Sequence, residues 1–166
     1  MDKIKKEFSK IYDQYIEKIY RFIFLKVDSK EIAEDLTSET FLRAWEVFKN
    51  QKIENISAFL YQTAKNLIVD FYREREKTKI VSLKTNNFVN DSHQNFEQKI
   101  KLSFDLERIK KALKELNEDY QNAIIWRYID GLSIREVAKL LNKTEGATRV
   151  LLHRALEALR NKIEKV

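Results

Sequence analysis

The stretch that decides the fold is residues 131–154, GLSIREVAKLLNKTEGATRVLLHR, which reads as a helix, a tight turn and a second helix. Ser133 and Glu136 have the spacing of a capping box, so the first helix is expected to begin there. Asn142 tolerates the left-handed backbone in which helices often end, and Thr144 is a good N-cap for the second helix. A turn this short makes the two helices cross steeply and projects the second one outward, where it can enter a DNA major groove.

The packing positions of this stretch support the same interpretation. Ala138 supplies the small residue that a close crossing needs, and Leu151 is apolar. Thr148 stands where an aliphatic residue would pack better, although its methyl group can still face the core. An ordinary corner between two helices of a bundle is the alternative, and DNA binding is the favoured interpretation.

Composition predicts the fold class. The chain has 166 residues, no proline and only two glycines, which favours long helices over sheets joined by tight turns. The expected fold is all-α, in one domain or two small ones. No cysteine and only two histidines are present, so we expect no disulfide, no metal site and no cofactor. Nothing in the sequence resembles a nucleophile with its base, so we expect no enzyme activity. Neither a signal peptide nor a membrane span is recognisable, which predicts a cytoplasmic protein.

Charge is distributed unevenly along the first half of the chain. The net charge of +6 fits a polyanionic partner without requiring one. Residues 28–46 contain six acids and two bases, whereas residues 65–79 contain five bases and three acids. A surface for nucleic acid would not need the acidic segment, so that segment is expected to face a second, basic partner.

The first half should form three helices. Apolar residues at helical spacing predict a helix over residues 4–26, and Asp28 or Ser29 can cap a second helix that runs to Phe48. The last part of this second helix is apolar almost all round, so it should be buried on more than one side or meet a partner. Residues 49–55 read as a loop, and Ser57 is a plausible cap for the third helix.

The third helix carries a mixed face beside its apolar stripe. Aromatic, amide and basic side chains occur together there, as they do where proteins grip single-stranded nucleic acid: Tyr61, Lys65, Asn66, Val69, Tyr72 and Arg73. A solvated helix face is the equally favoured alternative.

The pattern lapses between Lys77 and about Ser103, in a polar segment rich in Asn, Ser and Thr. A segment of this length predicts a flexible linker between two helical domains. We therefore expect a first domain over residues 1–78, a linker over 79–103 and a second domain over 104–166. Within the second domain, Asn117 can cap a helix that Gly131 closes, and the last helix is expected to run from Thr144 to about Ile163.

Three segments together resemble the bacterial sigma-70 transcription initiation factors, specifically their small extracytoplasmic-function group, which has only regions 2 and 4. Residues 33–45, AEDLTSETFLRAW, resemble region 2.2, and residues 58–73, AFLYQTAKNLIVDFYR, resemble regions 2.3 and 2.4. Residues 132–160 resemble region 4.2. The resemblance implies a three- or four-helix bundle for region 2 and a helix-turn-helix domain for region 4.

The resemblance also implies partners and site residues. Core RNA polymerase would be bound through the β′ clamp coiled coil and the β flap, and the clamp contacts would be Asp35, Leu36, Glu39 and Phe41. The minus-10 element of the promoter would be bound by residues of the third helix: Tyr61, Lys65, Asn66, Arg73, Arg75 and Lys77. One flipped base of this element would be captured beside the loop over residues 49–57. The minus-35 element would be read by Thr144, Glu145, Gly146, Arg149, His153 and Arg154.

Relatives of this kind are commonly held by an anti-sigma factor, often membrane-anchored, so the resemblance implies such a partner, and it implies no small-molecule substrate. Val150 and Leu151 stand where many relatives carry Ser and Arg, so one phosphate contact is expected to be missing and the minus-35 preference to differ. Two other functions are compatible with parts of the sequence. A stand-alone helix-turn-helix regulator would leave the acidic helix unexplained, and a helical adaptor that binds only proteins would not depend on Arg149 and Arg154.

Overall fold

The computed structural model describes residues 2–79 and 103–164, and the regular structure within these ranges is helical. The chain divides into two compact units, residues 1–99 and 100–166. The first unit contains α1 (Asp2–Phe24), α2 (Lys30–Phe48) and α3 (Ile56–Lys79). The second contains α4 (Ser103–Lys114), α5 (Glu118–Ile124), a π-helical segment (Ile125–Ile129), α6 (Ile134–Leu141) and α7 (Glu145–Glu164). None of these helices combines the length and apolar character that a membrane crossing needs.

The first unit is a three-helix bundle around an aromatic centre. Phe22 of α1 is fully buried and meets the ring of Tyr61 of α3 edge to face, with ring centroids 5.6 Å apart. At the other end of α1, Phe8 packs on Trp45 and Phe48 of α2, at 5.2 and 5.5 Å between centroids. The apolar second half of α2 is therefore partly covered by α1.

Local capping sets the helix starts in this unit. The Ser29 hydroxyl accepts a hydrogen bond from the Ile32 amide at 3.2 Å, which confirms the predicted start of α2. The predicted cap at Ser57 is wrong, because α3 starts at Ile56 and the Asn55 side-chain oxygen accepts from the Ala58 amide at 3.0 Å. An Asx side chain in this position satisfies one of the free amides of the first turn.

The predicted linker over residues 79–103 begins and ends inside helices. α3 continues through Lys79 and α4 begins at Ser103, so both terminal residues of that range are helical. Residues 80–102 lie outside the described residues, and the linker there stays a prediction.

The second unit packs around the end of α5 and the π-helical segment. Trp126 and Ile125 are fully buried, together with Leu113 of α4 and Val137 of α6. The π-helical turn is closed by a hydrogen bond from the Asp130 amide to the Ile125 carbonyl at 2.8 Å, and Gly131 follows with a positive φ of 74°. The left-handed conformation costs a glycine little free energy, and here it ends the π-helical segment just before α6.

The helix-turn-helix predicted at residues 131–154 is present as α6 and α7. The capping box is complete: the Ser133 hydroxyl accepts from the Glu136 amide at 3.1 Å, and the Glu136 carboxylate accepts from the Ser133 amide at 3.2 Å. Asn142 ends α6 in the left-handed conformation, with φ 56° and ψ 48°. The Thr144 hydroxyl then caps α7 by accepting from the Ala147 amide at 3.1 Å.

Thr148 is fully buried at the crossing of these helices, as its predicted core position requires. Its hydroxyl donates to the Thr144 carbonyl at 2.8 Å. The Thr148 hydroxyl thus has a hydrogen-bond partner within its own helix, which removes most of the free-energy cost of burying it.

Replacement of Ser133 by alanine is expected to destabilise the second unit by about 1 kcal/mol, because it removes the hydroxyl that accepts from the Glu136 amide. Thermal or urea unfolding followed by circular dichroism measures the change. Ser133→Asp is the matched control, since aspartate caps equally well and is expected to leave the free energy of unfolding close to that of the wild type. Equal stability of the alanine and aspartate variants would contradict the role of the cap.

Candidate nucleic-acid interface

The exposed face of α7 is centred on an aliphatic residue. Thr148, Leu152 and Ala155 are the buried positions of this helix, and Val150 lies about 160° from their mean direction. The Val150 side chain is 50% exposed. The N-terminal half of α7 therefore presents valine on the side farthest from its own core, and the exposed Glu157 lies on the same side two turns further along.

The predicted minus-35 residues surround Val150 unevenly. Gly146, Arg154 and His153 lie about 40–60° from Val150 around the helix, whereas Arg149 lies about 100° to one side. All four are exposed. The His153 imidazole is 3.4 Å from the Glu157 carboxylate, an exposed contact that carries charge on both partners only when the histidine is protonated.

Thr144 and Glu145 lie at the start of the helix, away from this centre. The Thr144 side chain is used as the N-cap of α7, and Glu145 lies about 140° around the helix from Val150. Both are exposed. Around α7, Gly146, His153 and Arg149 thus lie on one side of Val150 and Arg154 on the other, whereas Glu145 lies farthest from Val150 and Thr144 is used as the cap.

A second polar face lies on α3. Arg73 and Lys77 follow Asn66 by seven and eleven residues, which places the three within about 40° of one another around the helix. All three are exposed. Lys65 lies about 100° away and is half-buried. An amide and two cations in one row can hydrogen-bond a base edge and contact phosphates.

Tyr61 and Arg75 do not belong to this row. Tyr61 is fully buried against Phe22, so its predicted stacking on a promoter base does not fit its position. Its place follows from its spacing, because it precedes the buried Ile68 by seven residues and so shares the core face. Arg75 follows Ile68 by seven residues and its guanidinium pairs with the Asp28 carboxylate at 2.8 Å.

Tyr72 is likewise used inside the first unit. Its hydroxyl donates to the Lys26 carbonyl at 2.6 Å, which ties α3 to the turn between α1 and α2. Burial, followed by the nearby Asp28 carboxylate, raises the pKa of Tyr72 to about 12. The phenol therefore stays protonated and remains a donor over the physiological pH range.

A third exposed face lies on α2 and is acidic around one leucine. Leu42 is 55% exposed and lies opposite the buried residues Ala33, Thr40 and Ala44. Asp35 and Glu39 lie within about 60° of Leu42, and Glu39 pairs with Arg43 at 3.2 Å. An exposed aliphatic side chain with acidic neighbours has the composition of an interface centre with a charged rim.

The other two predicted contacts on α2 lie off this face. Phe41 is buried and meets Tyr12 of α1 with ring centroids 4.9 Å apart, so it is a core residue and does not fit the predicted role of a direct contact. Leu36 is half-buried, about 120° around the helix from Leu42. Asp35 and Glu39 remain open to a partner.

Sequence reasoning missed Leu42 and Val150 as functional candidates. Each lies opposite the core of its helix, at a position where solvent exposure normally favours a polar residue. The signal was present for Leu42, because the second half of α2 is apolar on more sides than three packed helices can cover. For Val150, the available signal was that many proteins of the family that the sequence resembles carry Ser at this position.

Comparison with known families matches both units. The family model described as sigma-70 region 2 matches residues 11–78, and the model described as sigma-70 region 4 matches residues 106–159. Together they cover most of α1 to α3 and most of α4 to α7, in the order of the chain.

Curated relatives of similar sequence are sigma factors. The chain is 34% identical over 155 residues to the ECF RNA polymerase sigma factor BldN of Streptomyces coelicolor, covering 92% of this chain and 58% of that protein. It is 26% identical over 151 residues to the ECF RNA polymerase sigma factor SigM of Bacillus subtilis, covering 90% of this chain and 91% of that one. The chain thus spans little more than half the length of the first relative and most of the second.

Two solved structures share the fold of this chain. One is RpoE in complex with the anti-sigma factor NepR from Bartonella quintana, with a TM-score of 0.72, 21% identity and coverage of 96% of this chain and 98% of that one. The other is CnrH in complex with the cytosolic domain of CnrY, with a TM-score of 0.71, 17% identity and coverage of 97% and 90%. With both regions matched in order and homologues of this class, the chain belongs to the extracytoplasmic-function group of the sigma-70 family of RNA polymerase sigma factors.

Proposed function

We propose that this protein is a dissociable sigma factor that binds core RNA polymerase, recognises the minus-35 and minus-10 elements of its promoters and starts their melting. The observation that carries the proposal is that each of the two family-matched units exposes one helix face suited to nucleic acid. The polymerase supplies the chemistry, so the protein itself is proposed to have no enzyme activity and to act in the cytoplasm, where polymerase and chromosome meet.

The proposed domains follow the two matched regions. Region 2 occupies residues 1–78 and region 4 residues 104–166, and the intervening residues are proposed to pass along the polymerase as a flexible linker. Region 4 would rest on the β flap while α7 reads the minus-35 element in the major groove. A helix-turn-helix uses the N-terminal part of its second helix for this purpose.

For α7 we propose a division between base contacts and phosphate contacts. Gly146 and His153 flank the outward centre, and Arg154 and Arg149 extend to either side of it, where long cationic side chains can reach phosphates or a guanine edge. Thr144 and Glu145, at the N-terminus of the helix, would contact the nearest DNA phosphate through their backbone amides. Free amides of a helix N-terminus bind phosphate well.

On α3 we propose that the row of Asn66, Arg73 and Lys77 faces the non-template strand of the minus-10 element. Asn66 would hold a flipped base by its edge together with Lys65 and the loop over residues 49–57, while Arg73 and Lys77 would bind phosphates. Unstacking a base costs a few kcal/mol, which such contacts offset. Arg75 can join them at small cost, since an exposed pair such as the one with Asp28 contributes only about 0.2–1 kcal/mol.

Binding to the β′ clamp coiled coil is proposed for the exposed face of α2. Asp35 and Glu39 would form its charged rim and Leu42 its apolar centre. Opposite charge across the interface speeds encounter and sets orientation, whereas burial of the leucine contributes affinity. Phe41 would support this face from within the core.

Run-off transcription with core polymerase and a pool of genomic promoter fragments tests the whole proposal. New transcripts that require the protein, aligned at their start sites, would give both promoter elements. DNA binding by the protein alone, with a palindromic footprint and no transcripts, would instead support a stand-alone helix-turn-helix regulator.

Replacement of Asn66 by alanine is expected to reduce run-off transcription by roughly tenfold or more, because one base-edge contact is worth about 1–3 kcal/mol. Permanganate reactivity of minus-10 thymines should fall in parallel, while polymerase binding is retained. Asn161→Ala is the matched control: it removes an exposed amide from α7, outside every proposed contact. Equal transcription by Asn66→Ala and wild type would refute the role of Asn66.

Charge reversal at Asp35, as Asp35→Lys, is expected to weaken binding to core polymerase by about tenfold, since it places like charges at the proposed interface. Fluorescence anisotropy of the labelled full chain titrated with core enzyme measures the affinity. Asp13→Lys makes the same charge change on the exposed surface of α1 and is expected to leave the affinity unchanged. Similar affinities for both variants would show that α2 is not the docking face.

An anti-sigma factor is also proposed as a partner, since one structural neighbour described above is the sigma factor RpoE in complex with the anti-sigma factor NepR. Such a factor, often membrane-anchored in this family, should compete with core polymerase for the chain. Purification of the tagged endogenous protein before and after envelope stress should recover the competitor only in the unstressed state. Recovery of the protein with polymerase alone in both states would contradict this part of the proposal.

A further inference from the structure

Val150 lies outside the buried core of the second unit. It is half-exposed on the side of α7 that points away from the buried Thr148, Leu152 and Ala155. Single exposed aliphatic residues are common on protein surfaces, so the exposure alone indicates nothing. Its neighbours on the helix surface are what indicate a function for Val150.

On the N-terminal side of Val150 the helix surface carries only very small side chains. Gly146 and Ala147 precede it by one turn, about 40° and 60° around the helix, and both are exposed. A Cβ added at Gly146 would meet no atom within 4 Å, and Gly146 is not among the residues with positive φ in the described part of the chain, so the free protein does not require a glycine there. Two nearly bare positions let the helix backbone approach the floor of a groove closely, which is what a side chain as short as valine needs to touch a base.

Longer cationic side chains surround this part of the helix surface. Arg154 lies about 40° from Val150 on one side and Arg149 about 100° on the other, and both are exposed. When these two arginines reach toward opposite walls of a major groove, Val150 lies between them over the base edges. Its branched side chain has one strongly preferred rotamer in a helix, so little freedom is lost on contact.

The chemistry of valine then selects the base. Valine has neither donor nor acceptor, and the only apolar group on the major-groove edges of the four bases is the C5-methyl group of thymine. We propose that Val150 reads a thymine of the minus-35 element through this methyl group. The inference rests on the proposed function and adds to it a specificity-determining residue and the base it recognises.

The test removes the methyl group and nothing else. In the promoter identified by run-off transcription, each minus-35 thymine on either strand is replaced singly by deoxyuridine, which keeps base pairing and the groove hydrogen-bonding groups. Competition binding with reconstituted holoenzyme is expected to show one position at which this replacement weakens the wild type roughly fourfold, the value for one buried methyl group. At that position, holoenzyme with Val150→Ser should bind thymine and uracil promoters equally well.

Val150→Ile is the matched variant, since it keeps an apolar branched side chain and should keep the preference for thymine. The position is exposed, so all three proteins are expected to fold, and circular dichroism checks this. The proposal is overturned if no thymine position is sensitive to methyl removal in the wild type, or if Val150→Ser is as sensitive as the wild type. Transcription from the unmodified promoter tests the sigma function independently, so failure of methyl reading with normal transcription refutes only the role of Val150.

Discussion

The Arg149→Glu variant is expected to lose transcription from promoters that depend on a minus-35 element by about 10- to 100-fold. A guanidinium that contacts a guanine edge contributes about 1–3 kcal/mol, and a carboxylate in its place also repels the phosphates. Arg149 is exposed at the flank of the outward face of α7, so the loss should arise in DNA binding and not in folding. Run-off transcription and holoenzyme binding to promoter fragments measure it.

Arg160→Glu is the matched control for this variant. Arg160 follows Arg149 by eleven residues, so it shares nearly the same side of α7 but lies about 16 Å nearer the C-terminus. The net charge change is identical in the two variants. If both lose transcription equally, the effect comes from the overall charge of the domain and not from a contact made by Arg149.

Replacement of Tyr61 by alanine is expected to destabilise the first unit by about 3–5 kcal/mol, the usual cost of deleting a large aromatic side chain from a core. Tyr61 is fully buried, and its ring meets Phe22 edge to face. A loss of this size is a large part of the stability of a small domain. Chemical unfolding of the full chain, followed by far-ultraviolet circular dichroism, should show the first unit unfolding at lower denaturant concentration.

The comparison with Asn66→Ala separates the two roles considered for the face of α3. Asn66 is exposed, so its replacement should change the free energy of unfolding by no more than about 0.5 kcal/mol while reducing transcription. Tyr61→Ala should lower the free energy of unfolding by several kcal/mol. In assays corrected for the folded fraction, its promoter binding and transcription should match those of the wild type. Wild-type stability of Tyr61→Ala together with a loss of promoter opening would restore Tyr61 as a base-stacking residue.

Capping and turns in this protein could be predicted from the sequence because they depend on residues close together in the chain. The capping box at Ser133, the left-handed Asn142 and the cap at Thr144 each involve hydrogen bonds spanning no more than five residues. The same locality explains the confirmed cap at Ser29. The predicted cap at Ser57 was wrong by two positions, because Asn55 caps the helix. A difference of this size lies within the usual uncertainty of a helix end.

The faces of the helices were harder to predict, because they depend on what other helices cover. A tyrosine is suited both to a core and to a nucleic-acid surface, and only the contact of Tyr61 with Phe22 of α1 decides between them. Arg75 looked like one of a basic row, but the turn between α1 and α2 places Asp28 within 2.8 Å of it. Such contacts join residues about forty or more positions apart, which a local pattern does not specify.

The sequence by itself thus determined the helical fold class, the helix-turn-helix and the family, because each is written in local spacing and in motifs that keep their order along the chain. Only the tertiary structure decided which residues of those helices are available to a partner. It buried Tyr61 and Phe41, paired Arg75, and left Leu42 and Val150 exposed at the centres of two helix faces. The physical reason is that exposure is a property of the packed bundle: each side chain is covered or left open by neighbours distant in sequence.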